Sequence, residues 1–428
     1  MFSKNSKAVF CLLLTAGLAI GCAKQEPNPN PSAEAPVAPK AEPVTLTLFN
    51  AQPAGLDFEK MGLIQTVQSK YPHITLKVIN RDKDQDYPNL ILAGTPLDIV
   101  YESTSLTTTR IVDNGLQYDI HELIKRHNLN LNQFEPNVLA HSYSVNSEGK
   151  LFGLPFTMNK YALYYNKEIF DKFGVAYPKD GMTWDEVYEL AKKVTRVDSG
   201  VNYYGFTTIS NNMMLNNQLS LNPLHPTEDR ANVNTDQWKM LYENLGRFFL
   251  IPGSKLVPNT DAVNGNIAMV LDPGTLANRP NDVKWDIVSV PALKERPNVG
   301  LKPASLSLFV TQTSKHKDEA FQVISHLVSE EVQMAMTKQA IATPLASERV
   351  KSMFGQDLPV WQGKNVKALY YYPDAPPTAP RAKGLQDITV NFTNSFNQLL
   401  SGKDANTVLR EFEEGINKNI EAEKAKKK

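Results

Sequence analysis

This chain is expected to fold as an α/β protein with two separate cores, for three reasons. Short apolar runs alternate with helix-patterned stretches along most of its length, the mark of layered sheets flanked by helices. At 428 residues, 42% of them hydrophobic, it is longer than one core usually serves. Several strand-like runs end in clusters of Asn, Asp, Glu and Ser. In parallel α/β sheets, ligands bind just beyond such strand ends.

The first 43 residues stand apart. Lys4 and Lys7 precede an apolar run over 8–20 that ends at Gly21-Cys22. At ~13 residues the run is too short to span a bilayer and fits the core of a signal peptide. Residues 23–43 hold six Pro and five Ala and no apolar period, so they cannot bury enough surface to offset ordering. They read as a semi-extended tether. Of the two cysteines, Cys11 lies in the segment to be removed and Cys22 at its end. A processed monomer would then have no internal disulfide. Formal charge is zero, which gives no ground for nucleic-acid binding.

The globule begins with alternating residues 44–49, VTLTLF, a strand ending in the polar tip Asn50-Ala51-Gln52-Pro53. Phe58, Met61, Ile64 and Val67 recur at helical spacing. Residues 74–79 form the second strand, 90–93 a helix end, and 97–101 a buried strand ending in Glu102-Ser103-Thr104-Ser105. The centre of the chain is 153–195. Its YALYYN is nearly continuous apolar and predicts a buried strand, preceded by a polar crossing over 157–160. Thr183 and Glu186 form a capping box, after which Val187, Leu190, Ala191 and Val194 share a helical face.

Further on, 203–207 predicts a strand ending in Thr208-Ile209-Ser210-Asn211-Asn212. A helix is predicted over 236–249, and strand 267–271 ends in Asp272-Pro273-Gly274. Strands are expected at 285–291 and 305–310, then helices over 316–328, capped near Ser314, and 329–338. After a crossing at 343–345 and an irregular stretch over 370–380, helices over 388–400 and 406–423 close the chain.

The run G-L-P…Y-Y-N-K…F…G…P…T-W-D-E within 153–195 resembles the sugar-binding, extracellular solute-binding lipoproteins of ABC importers. Residues 266–274 and 303–345 carry the likeness further, and as a pattern it covers 44–423. Leu18-Ala19-Ile20-Gly21-Cys22 resembles a bacterial lipobox, which implies lipidation of Cys22 and anchoring on the extracytoplasmic face of the cell membrane. The resemblance implies a two-lobed, type II periplasmic-binding-protein-like fold, each lobe a mostly parallel sheet flanked by helices and joined by hinge strands. It divides the chain into signal peptide 1–21, tether 22–43, an N-terminal lobe of 44–157 plus 303–342 and a C-terminal lobe of 158–302 plus 343–428. The implied partners are a small solute, a sugar or oligosaccharide, and the membrane subunits of an ABC permease. A monomer without cofactor, metal or nucleic acid is expected.

Chemical motifs are sparse. In His121-Glu122-Leu123-Ile124-Lys125 the place of a second zinc-binding His is taken by Lys125. Ser314-x-x-Lys317 lacks the partner motifs of penicillin-recognising enzymes, and neither a Walker loop nor a Gly-x-Ser-x-Gly elbow occurs. What remains is the set of strand-end tips. Asn50, Gln52, Glu102, Ser103, Asn159, Ser210, Asn211, Asn212 and Asp272 are the candidate ligand-binding residues. They supply the donors and acceptors a hydroxyl-rich solute needs, though such residues also cap helices and close turns. Tyr101, Tyr203, Trp238 and Tyr370–Tyr372 are candidate rings, with Trp238 and Trp184 read as core. The expected function is solute capture for import; an exported carbohydrate-active enzyme and a solute-sensing lipoprotein are the alternatives.

Overall fold

A computed structural model describes residues 42–259, 265–273, 283–379, 382, 385 and 388–426. The expectations for the signal peptide, Cys22 and residues 23–41 lie outside them. Strand β1, Val44–Asn50, pairs in parallel with β2, Ile74–Asn80, and with β3, Ile99–Ser103. Strands β4, Gly153–Met158, and β5, Ala162–Asn166, are buried at every position, as their continuous apolar runs require. Strands β6, Arg196–Asp198, and β7, Val201–Tyr203, form a separate hairpin. The remaining strands are β8, Thr207–Thr208; β9, Met269–Asp272; β10, Trp285–Val288; and β11, Ser305–Val310.

Two principal sheets result, one in the order β2-β1-β3-β11-β4 and the other β10-β5-β9-β8. Each is covered on both faces. Leu46, Leu48 and Ile99 pack with the helix Lys317–Leu327 in one cluster, and Phe49, Val100 and Phe309 in another on the opposite side. The second sheet packs Leu163, Met269 and Leu271 against the helix Trp184–Val194, whose buried residues include the four expected. Tyr164, Val270 and Ile287 join Phe354 and Trp361 on its other face. Trp238 is core, stacked on Phe392 with centroids 5.0 Å apart, and Trp184 is buried with its indole N–H donating to Gln218.

Both sheets are mostly parallel, as expected: in each, all strands but one run the same way, and the exceptions are β11 in the first and β5 in the second. β11 runs antiparallel to β3 and β4, and β5 runs antiparallel to β9 and β10. A parallel partner requires a crossover within its own sheet. β5 and β11 instead enter after the chain has passed from one sheet to the other, so they arrive from the opposite end.

The passages between the sheets lie side by side. Thr157 and Met158 still belong to β4, so the link is 159–161, shorter and later than the 157–160 expected. Met158 N–H donates to the Ala342 carbonyl at 3.0 Å, and Asn159 N–H to the Ala304 carbonyl at 2.9 Å. Three backbone straps are thus stitched together. Among the described residues no helix is long and apolar enough to cross a membrane.

Candidate functional site

Where the straps meet, a cleft of about 470 Å³ opens between the two sheets. Its first wall is built from strand ends and the segments adjoining them. Gln52 stands just past β1, and Ser103 closes β3; Ser105 comes from the 3₁₀ turn behind it, and Thr108 and Thr109 from the wider π-helical turn that follows. His141 and Ser144 reach in from the helix Pro136–Tyr143 and its end. The floor is made by the straps themselves: Asn159, Tyr161, Lys302 and Ser305. The second wall contains Asn212 and Asn216 from the helix Ser210–Leu215 and its cap, with Asn222, Thr378 and Thr389.

Four of the nine candidate residues, Gln52, Ser103, Asn159 and Asn212, therefore line one cavity. The others do not. Asn50 is wholly buried behind the rim, its Nδ2 donating to the Leu56 carbonyl at 2.8 Å and to Asn80 Oδ1 at 3.0 Å. Glu102 is equally buried and accepts from Gln52, Tyr87 and the Ser103 backbone. Ser210 is buried in the first turn of its helix. Asn211 Oδ1 accepts from the Phe392 backbone N–H at 2.9 Å and braces the helix rather than the cavity. Asp272 ends β9 nearly buried, accepting from Asn259 Nδ2 at 3.2 Å. Asn50, Glu102 and Asp272 stand at the ends of strands, whose side chains alternate between faces, so such a tip residue is as often turned into the packing as toward the ligand. Ser210 and Asn211 instead sit in the first turn of a helix, turned toward what it packs on.

The expected rings are also elsewhere. Tyr101 is buried, its hydroxyl 2.6 Å from Thr157 Oγ1; Tyr203 sits in the hairpin beside Lys172; Tyr370 packs with the second sheet. The cleft's own ring is Tyr161, whose hydroxyl burial pushes up to about 12.

Sequence reasoning missed His141, Lys302 and the hydroxyl run Ser105–Thr109. The run Thr104-Ser105-Leu106-Thr107-Thr108-Thr109 was a visible signal, since six residues with five hydroxyls after a buried strand make an unusual helix start. His141 and Lys302 had none. His141 Nδ1 lies 3.3 Å from Ser305 Oγ, and Ser305 shares its hydroxyl with Thr104 at 2.9 Å. Burial first, and the Lys302 charge second, hold the imidazole down at about 4, so it is neutral at pH 7. No described carboxylate bonds this imidazole, so the Ser–His pair lacks the orienting acid of a hydrolytic triad. Among the described residues no cluster of acidic, His or Cys side chains could hold a metal. What the arrangement can do is present many neutral donors and acceptors at once.

Known proteins share this build. An ABC substrate-binding protein of Listeria monocytogenes, solved in complex with cycloalternan, superposes with a TM-score of 0.70 at 16% identity, covering 89% of this chain and 99% of its own. The sugar-binding protein MalE of Xanthomonas citri does so at 0.67 and 16% identity, covering 89% and 98%. At such identities the likeness establishes the two-lobed type II binding-protein fold. In sequence, the sn-glycerol-3-phosphate-binding periplasmic protein UgpB of Brucella abortus is 37% identical over 76 residues, 18% of this chain and 17% of that relative's length. The bacterial extracellular solute-binding protein model matches residues 59–334, well over half of the chain, and the protein belongs to that family.

Proposed function

We propose that this protein captures a sugar or similar polyol in the cleft and hands it, unchanged, to the permease of an ABC importer. The observation that carries the reading is the cleft itself: serine, threonine, asparagine and glutamine side chains from both walls converge on one cavity at the straps. A polyhydroxylated solute is recognised by such neutral groups. With one tyrosine in the wall, hydrogen bonds carry more of the binding than stacking does. Family membership supports the reading, as do the sugar, cycloalternan and glycerol-phosphate ligands named for its relatives.

In this reading the lobes are 44–157 plus 303–342 and 158–302 plus 343–428, and they close about the straps. Closure requires contacts that the solute makes better in the closed state. The monomer is held to the outer face of the cell membrane by a lipid on Cys22, after removal of 1–21, and stands off it on the tether.

Thermal unfolding against glucose, maltose, maltotetraose and sn-glycerol 3-phosphate tests the function. A cognate solute at about 100 times its dissociation constant adds roughly 2.7 kcal/mol and is recovered with its mass unchanged. Stabilisation by none of them, or recovery of a cleaved product, defeats the proposal. For the anchor, Cys22→Ala is expected to release the protein from the membrane fraction.

A further inference from the structure

Gln52 is held in place from two sides. Its backbone N–H donates to Asn50 Oδ1 at 3.1 Å, and its side-chain Nε2 donates to Glu102 Oε1 at 2.5 Å. Neither partner can move easily. Asn50 is anchored through Leu56 and Asn80. Glu102 has no exposed surface and also accepts from the Ser103 N–H at 2.7 Å and the Tyr87 hydroxyl at 3.1 Å.

An ionised carboxylate can only accept. Of the two arms of the Gln52 amide it can therefore engage only the nitrogen. The carbonyl oxygen, on the other arm of a side chain that lines the cleft, is left for the solute. We infer that Glu102 is a positioning residue that locks the Gln52 amide with its carbonyl oxygen toward the cleft, making this subsite an acceptor for a solute hydroxyl. The assignment rests on the reading of the cleft as a polyol site, and it gives that site a polarity. A carbonyl, carboxylate or phosphate oxygen would meet repulsion here.

The lock is sensitive to protons. A protonated Glu102 becomes a donor, which no longer discriminates against the flipped amide. Burial raises the Glu102 carboxyl above the usual carboxylate range, opposed by the bonds from Ser103, Gln52 and Tyr87 and by the Arg81 charge. Arg81 itself pairs with Asp86 at 3.1 Å, and Arg110 acts on Tyr87 from the helical run after β3.

The decisive measurement needs no solute. In the deuterated, ¹³C,¹⁵N-labelled full-length chain, the Gln52 side-chain amide pair is identified by its loss in Gln52→Leu. Its bonded proton is expected downfield, moving with pH in step with the Glu102 carboxyl carbon. In Glu102→Gln that movement disappears. In Tyr87→Phe, which removes one donor to the ionised form, the midpoint rises. A Glu102 with only a packing role would leave the amide pair indifferent to pH, and that result overturns the inference.

Maltose and glucose then probe the polarity by thermal shift. In the wild type, apparent affinity is expected to fall by up to about tenfold as Glu102 protonates, the upper end of the worth of one neutral hydrogen bond. Gln52→Glu should reverse the trend. Its two facing carboxyls share a proton in acid and repel each other at neutral pH, so it binds better in acid. The same trend in both proteins overturns the acceptor assignment. If none of the four solutes named above shifts the wild type at any pH, the polyol reading fails, while the Gln52 resonance still decides the lock.

Discussion

His141 shows how one side chain sets a pH limit. Its folded-state value of about 4 lies below the value of about 6.5 expected in the unfolded chain. As pH falls, the unfolded chain takes up this proton first. Stability is therefore complete above about pH 6.5 and is lost progressively down to about 4. His141→Asn is expected to flatten the acid limb over that window, read from urea unfolding at a series of pH values. Gly153 is constrained differently. A Cβ there would sit 2.6 Å from the Phe309 ring and 2.9 Å from the Leu308 carbonyl oxygen. Backbone on one side cannot yield, so Gly153→Ala should cost about 2 kcal/mol, measurable by the same unfolding assay. The glycine that opens the central motif is needed for the close approach of β4 to β11.

At the level of elements, the helix Trp184–Val194 is the best specified in the chain. Thr183 Oγ1 accepts from the Glu186 N–H at 3.3 Å, and Glu186 Oε2 accepts from the Thr183 N–H at 2.7 Å. Both partners are local, which is why the capping box could be read directly from T-W-D-E. Thr183→Ala should destabilise the protein by about 1 kcal/mol, with little change in the denaturant slope. Strand tips behave otherwise. Asn50 and Gln52, two residues apart on one tip, end up in different roles: one bonds the interior and the other lines the cleft.

Across the whole molecule, the largely buried pair of Lys160 and Asp374 ties the first strap to the segment that follows Tyr370. The ammonium lies 2.6 and 2.7 Å from the two carboxylate oxygens, and 5.3 Å from the centroid of Tyr370. Asn137 Nδ2 donates to the Asp374 carbonyl at 2.6 Å, adding a third element to the junction. Removing one member leaves an uncompensated charge, so Lys160→Met is expected to cost about 3 kcal/mol. Lys160→Met with Asp374→Leu should recover most of that, and equal instability of single and double variants would contradict the account.

Local chemistry in the sequence was enough for the α/β alternation, the buried strand at YALYYN, the capped helix after it and the polarity of the strand ends. Each depends on residues within a turn or two of one another. The direction of β5 and β11, the stitching of the straps to one another, and the sorting of nine tip residues into four that line the cleft and five that brace it came only with the fold. These depend on which distant segment packs against each tip. Glu102 is the clearest case. Its neighbours Gln52 and Tyr87 lie 50 and 15 residues away, and nothing local says whether a carboxylate at a strand end faces solvent or two buried donors.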